Sequence, residues 1–124
     1  MDTWADRSLR ALKVYLDRGA LALADLREKK FDEADELLRK RKAAFLNFKA
    51  ADHLALLEGY TEDQRLELQT LTGQINDQNQ QLMESLEEAK GQLGSQLQQL
   101  SKARAAVKKY RSNEFDEFNF EKSV

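Results

Sequence analysis

The chain contains no proline in 124 residues, and this absence restricts its fold more than any other feature of the sequence. Proline interrupts helix interiors, so a chain without it is free to form long uninterrupted helices. Charged residues make up 34% of the chain, and Leu, Ala, Glu, Lys, Gln and Arg are among its commonest residue types. This composition is typical of long helices and coiled coils, and it predicts an all-α protein.

The first predicted helix runs from about residue 3 to about residue 30. Its apolar residues recur at spacings of three, four and seven, as in one stripe of a helix: Leu9, Leu12, Leu16, Leu23 and Leu26. Gly19 occupies the stripe position between Leu16 and Leu23, and the stripe continues in phase beyond it. We therefore expect Gly19 to mark a close approach of a neighbouring helix.

The second predicted helix runs from Asp32, a plausible N-cap, to about residue 57. A basic cluster, residues 39–42, interrupts its apolar pattern and is expected to lie mostly on the solvated side. The helix should end at Gly59, which suits the position just past a helix terminus. Thr61 and Gln64 then form a capping-box pattern, with Tyr60 placed to pack onto the first turn of the next helix.

The third predicted helix is long, because no strong stop signal follows between residues 62 and 110. The sequence does not decide whether this helix bends near Gly91 and Gly94. Three antiparallel helices would leave much of its leucine stripe uncovered, which implies a partner. A polar run, residues 74–81, also places Gln78 or Asn79 in or near the apolar seam. This amide either fixes helix register or marks a wet part of the helix.

The predicted architecture is an antiparallel helical hairpin or bundle with two shorter helices, one long C-terminal helix and coiled-coil-like packing. Residues 1–110 form a single helical domain. Residues 111–124 are expected to form a flexible acidic and aromatic tail, since three phenylalanines lie there among acids and too few residues remain for a core: Phe115, Phe118 and Phe120.

Several function classes lack their sequence signals. There is no cysteine and one histidine, His53, so we expect no metal, no cofactor and no enzyme. The glycines are isolated, unlike those of a phosphate-binding loop. A net charge of −2 gives no reason to expect nucleic-acid binding. Without an apolar run of ~20 residues or a signal-peptide core, we expect a cytoplasmic protein with no membrane span.

The order of elements resembles flagellar type III export chaperones of the FlgN kind, with the related FliT-like chaperones close behind. The resemblance covers about residues 9–110. It lies in the Lys-aromatic-acidic corner that leads into residues 37–42, in the late leucines around an asparagine pair, and in a final tyrosine: Leu71, Ile75, Asn76, Asn79, Leu82 and Tyr110.

The resemblance implies a chaperone that holds hook-associated or filament-cap subunits before secretion by binding an amphipathic C-terminal helix. The client would bind the late part of the long helix, at Leu86, Leu93, Leu97, Leu100 and Val107. The phenylalanines of the tail could fold over the same groove and compete with the client. The alternative is a structural coiled-coil protein that self-associates through the long helix, and a homodimer is open in either case.

Overall fold

The computed structural model describes residues 2–89, 100 and 102–107. It contains three helices: α1 (Trp4–Arg27), α2 (Phe31–Glu58) and α3 (Glu62–Glu88). Leu100 and residues 102–107 are also helical, and we call them the return segment. No strand occurs in this part of the chain, so the all-α prediction is confirmed.

The start of α1 is fixed by reciprocal hydrogen bonds between Thr3 and Asp6. The backbone N–H of Asp6 donates to Oγ1 of Thr3, and the backbone N–H of Thr3 donates to the Asp6 carboxylate, both at 3.1 Å. These bonds satisfy donors that the first helical turn leaves without partners.

The corner between α1 and α2 differs from the predicted one. Lys29 has a φ of 62°, which turns the chain sharply, and α2 begins at Phe31 with no side-chain cap. The predicted N-cap at Asp32 is therefore wrong. Asp32 lies instead in the first turn of α2 beside Glu33, where negative charge favours the helix dipole.

The corner between α2 and α3 follows the sequence signals. Gly59 ends α2 with a φ of 96°, a conformation that glycine adopts at little cost. Thr61 and Gln64 form the predicted capping box. Tyr60 is buried against the first core cluster, as expected from its place before the cap.

Helix α1 is central, and it packs against both α2 and α3. Two clusters of buried apolar side chains lie along it. The first core cluster surrounds the N-terminal half of α1 and includes Leu12, Phe48 and Ile75. The second core cluster surrounds the C-terminal half of α1 and includes Leu23 and Leu82.

The predicted single long C-terminal helix is wrong, because α3 ends at Glu88 and the return segment runs back along it. Leu100 packs in the second core cluster with Leu86, near the end of α3. Val107 packs in the first core cluster with Leu71, which lies about four turns before Leu86 in α3. The return segment is therefore antiparallel to α3, and the fold is a bundle in which a fourth helical piece covers the stripe.

The physical reason is that folding back buries Leu86, Leu100 and Val107 within the chain, whereas a straight helix would expose these side chains to water. Gly91 and Gly94 lie outside the described residues. The predicted division into a domain at 1–110 and a tail at 111–124 stays a prediction, since residues 108–124 also lie outside them. Among the described residues, no helix has the length and apolar content that crossing a bilayer demands.

Candidate functional site

The predicted client-binding residues fall into two groups. Leu86, Leu100 and Val107 are buried, with at most 4% of each side chain exposed. Leu93 and Leu97 lie outside the described residues. The expectation that this stripe is uncovered is therefore wrong for the three described residues, because the return segment packs onto the bundle. Binding of a client to them stays a prediction, and it requires the return segment to move.

The return segment is held by few apolar contacts. Leu100 and Val107 are its buried side chains, whereas Lys102, Ala105 and Ala106 are exposed. Arg104 adds a contact from its guanidinium to the sulfur of Met83 at 3.3 Å. Two apolar anchors, seven residues apart, therefore close the seam between the helices.

A buried polar cluster joins the three helices beside the return segment. Nη2 of Arg41 donates to Oε1 of Gln78 at 2.8 Å and to Oδ1 of Asn79 at 2.6 Å. Nε2 of Gln78 in turn donates to the backbone carbonyl of Leu16 in α1 at 2.8 Å. The guanidinium of Arg41 also stacks on the ring of Tyr15, 3.8 Å from its centroid. Because Asn79 is fully buried, the predicted seam amide is confirmed.

Burial changes the ionisation of this cluster. It lowers the pKa of Arg41 to about 10, since a charge removed from water is disfavoured, while the nearby Tyr15 acts in the opposite direction. Burial also raises the pKa of Tyr15, and the positive charge of Arg41 partly offsets that increase. Within the described part of the chain, no carboxylate pairs with Arg41, so its charge rests on amide oxygens and an aromatic ring.

Arg41 is the residue that sequence reasoning misplaced. Its basic cluster was expected on the solvated side, and Arg39 and Lys40 are indeed exposed, paired with acids one turn earlier. Arg41, however, is only 2% exposed. The signal was its position three residues after Leu38 and seven before Phe48, which places it in the buried stripe of α2.

A pocket opens between α2 and the return segment, with a volume of about 480 Å³. We call it the α2 pocket. Its described lining residues are apolar, aromatic or basic, and none of these described residues is acidic: Tyr15, Leu38, Arg41, Lys42, Phe45, Leu46, Lys49, Leu100, Lys102, Ala103 and Ala106. Its size lies within the roughly 300–1,000 Å³ of typical ligand pockets. Sequence reasoning missed it, because it forms only when the return segment folds onto α2.

A second buried polar cluster lies near the α2–α3 corner. The hydroxyl of Tyr60 donates a short hydrogen bond to the carboxylate of Asp52, and it lies 2.8 Å from Oγ of Ser8. Asp52, Tyr60 and Ser8 come from α2, the α2–α3 corner and α1, so this cluster ties the corner to the core. All three residues are buried, which indicates a structural role for them.

Apolar side chains remain exposed on the outer face of α2. Leu46, Leu54 and Leu57 follow the helical spacing of one face, and they are 56%, 36% and 78% exposed. His53 lies on the same face and is also exposed. Among the described residues, no group of three or more potential metal ligands comes together.

The fold and these surfaces define a small helical binding bundle. Its features are an apolar seam closed by a short return segment and a pocket that joins apolar walls to four cations. These features suit recognition of an amphipathic peptide or helix. The predicted tail residues Phe115, Phe118 and Phe120 lie outside the described residues.

Comparison with known families identifies the kind of binding protein. A family model described as "Flagellar protein FliT" matches residues 9–113. The chain therefore belongs to the FliT family, a family of flagellar type III export chaperones. The resemblance to flagellar export chaperones is confirmed. The comparisons with curated proteins and with solved structures gave no match.

Proposed function

We propose that this chain is a cytoplasmic export chaperone that binds the amphipathic C-terminal helix of a hook-associated or filament-cap subunit. The match to the FliT family over residues 9–113 carries this proposal. The bundle supports it physically, since a helical client needs an apolar seam of helical length in which to bind. The chaperone holds the client helix out of water until export.

The client reaches the seam when the return segment swings away from α3. Burying a leucine or valine side chain contributes about 1.5–3 kcal/mol, and the return segment has two such anchors, Leu100 and Val107. A client helix that buries four or five apolar side chains therefore competes favourably. In the open state, the client contacts Leu86 on α3 together with the proposed residues Leu93, Leu97, Leu100 and Val107.

Co-purification of the chain with C-terminal segments of hook-associated and cap proteins tests this proposal, with light scattering to give the stoichiometry. We expect a defined complex that Leu93→Asp or Leu97→Asp abolishes. The matched control is Leu66→Asp, since Leu66 is 52% exposed on the first turns of α3. If none of these segments binds, the proposed client class is wrong. If Leu66→Asp weakens client binding equally, the client does not bind at the proposed residues.

The alternative is a structural protein that self-associates. The long helix that would have supported it ends at Glu88, and the described residues of its later stripe are buried: Leu82, Leu86, Leu100 and Val107. The exposed leucines on α2 are the observation that still favours self-association. A stable oligomer without client, lost on Leu54→Gln with Leu57→Gln, would support this alternative. If the chain is monomeric at every concentration tested, the self-association alternative is wrong.

A further inference from the structure

We propose that the α2 pocket binds residues 113–121 of the same chain, with a phenylalanine in its apolar part and the neighbouring acids beside its cations. The segment reads NEFDEFNFE, with four acidic residues, three phenylalanines and no basic residue. This inference is independent of the flagellar client, because it concerns two parts of one chain.

The charge of the pocket supports an acidic occupant. Lys42, Lys49 and Lys102 line it together with the buried Arg41, and no carboxylate from the described part of the chain lines it. Lys42, Lys49 and Lys102 are all exposed, and no described ion pair occupies them. Like charges that converge without counterions repel one another, so an acidic segment relieves an unfavourable arrangement.

The apolar walls support an aromatic occupant. Phe45 and Leu46 form one side of the pocket and Leu100 with Ala103 the other, so an aromatic ring can be enclosed between α2 and the return segment. Leu46 is 56% exposed, which leaves apolar area to cover. Aromatic side chains bury about 150–250 Å² each, so one ring covers much of this area.

The course of the chain allows the contact in cis. Ala106 lines the pocket, and Val107 is the last described residue. Phe115 follows eight residues later, a distance of up to about 26 Å for extended chain at 3.3 Å per residue. The segment is therefore close enough along the chain to reach the pocket. Bound there, it braces the return segment against α2.

A nitroxide at residue 123 of the full chain tests this proposal. The sequence has no cysteine, so Ser123→Cys gives one labelling site. We expect loss of the amide signals of Lys42 and Lys49, with those of Leu66 and Gln74 on exposed positions of α3 retained. If no pocket signal is lost, the segment does not bind there and the proposal is wrong.

Two sets of variants test the chemistry of the contact. Lys42→Gln with Lys49→Gln should restore the lost signals, whereas the matched pair Lys13→Gln with Lys29→Gln should not. Changing the three phenylalanines to serine, which keeps every charge, should also restore them. Thermal unfolding by circular dichroism checks that each variant folds. If the pocket amide signals are still lost in both the lysine variant and the phenylalanine variant, the proposed recognition is wrong.

A mixed sample distinguishes one chain from two. Isotope-labelled chain without nitroxide is combined with unlabelled chain that carries it. We expect no loss of pocket signals, since the contact lies within one molecule. Loss in this mixture would show that the segment binds a second copy, and it would overturn the proposal in cis.

Discussion

A β-carbon added to Gly19 of α1 would lie 1.9 Å from Oε1 of Gln78 of α3, so the two helices meet where α1 has no side chain. Gln78 is not free to move aside, because it accepts from Arg41 and donates to the carbonyl of Leu16. Gly19 therefore makes room for the polar cluster that links all three helices, and the predicted close approach at this glycine is confirmed.

Gly19→Ala should lower the free energy of unfolding by about 1–3 kcal/mol, the usual cost of overpacking a core, despite alanine's higher helix propensity. Urea denaturation measures the change. Gly73→Ala is the matched control, because nothing lies within 4 Å of a β-carbon there, and it should stabilise by up to about 1 kcal/mol.

Coupling between the two positions is the sharper test. Gln78→Ala should be destabilising alone but much less so when Gly19 is already alanine, since the glutamine's hydrogen bonds are then broken. Additive effects of the two changes would show that the close contact carries no strain.

Asn79→Ala should cost about 1.5–3 kcal/mol, since it removes a hydrogen bond to the buried charge of Arg41. Adding Arg41→Met to this variant should recover much of the loss, because a buried charge without partners is worse than an apolar side chain of similar volume. Denaturant unfolding of the single and double variants gives both values. If Arg41→Met instead adds to the loss, the guanidinium contributes net stability through Tyr15.

The elements of this fold were largely predictable, because each follows local sequence rules. Two helices and one corner are predicted to within a few residues. The signals are the leucine spacing of α1, Gly59 and the capping box at Thr61. The prediction failed at Asp32, where the left-handed turn at Lys29 ends α1 early and lets Phe31 begin α2. A side-chain cap was unnecessary there.

The candidate site was less predictable, because it depends on contacts between residues far apart in the chain. The leucine stripe after Glu88 continues in phase with α3, so periodicity alone cannot distinguish a straight helix from a return. The burial of Arg41 likewise depends on Gln78 and Asn79, which lie 37 and 38 residues away. The sequence alone therefore predicts a solvated charge at this position.

The capping box of α1 makes part of the stability depend on pH. The pKa of Asp6 lies below its ordinary value of 3.8, mainly because the carboxylate accepts the backbone N–H of Thr3. This contribution is complete above pH 3.8 and is lost as the pH falls through the lower pKa of the folded state. Asp6→Asn should therefore be less stable than the parent at neutral pH and equally stable in acid.

Thermal unfolding across the acid range measures this difference. Thr3→Ala is the companion variant, and a carboxyl titration by NMR should show the pKa of Asp6 closer to its ordinary value, because Oγ1 of Thr3 contributes to the decrease. A difference between parent and Asp6→Asn that stays constant down to the lowest pH would contradict the assignment.

Leu100→Ala should loosen the return segment while leaving the rest of the bundle intact. Leu100 is one of two buried anchors of this segment, and truncating a buried leucine costs about 2–5 kcal/mol. Amide hydrogen exchange over residues 102–107 should accelerate by about tenfold or more, since each 1.4 kcal/mol changes an opening equilibrium tenfold. Exchange in α1 and α2 should change little, and Leu66→Ala, at an exposed position, should leave all of these rates unchanged. Equal acceleration throughout the bundle would mean that the return segment opens only when the whole domain unfolds. A client could not then enter the seam by local opening.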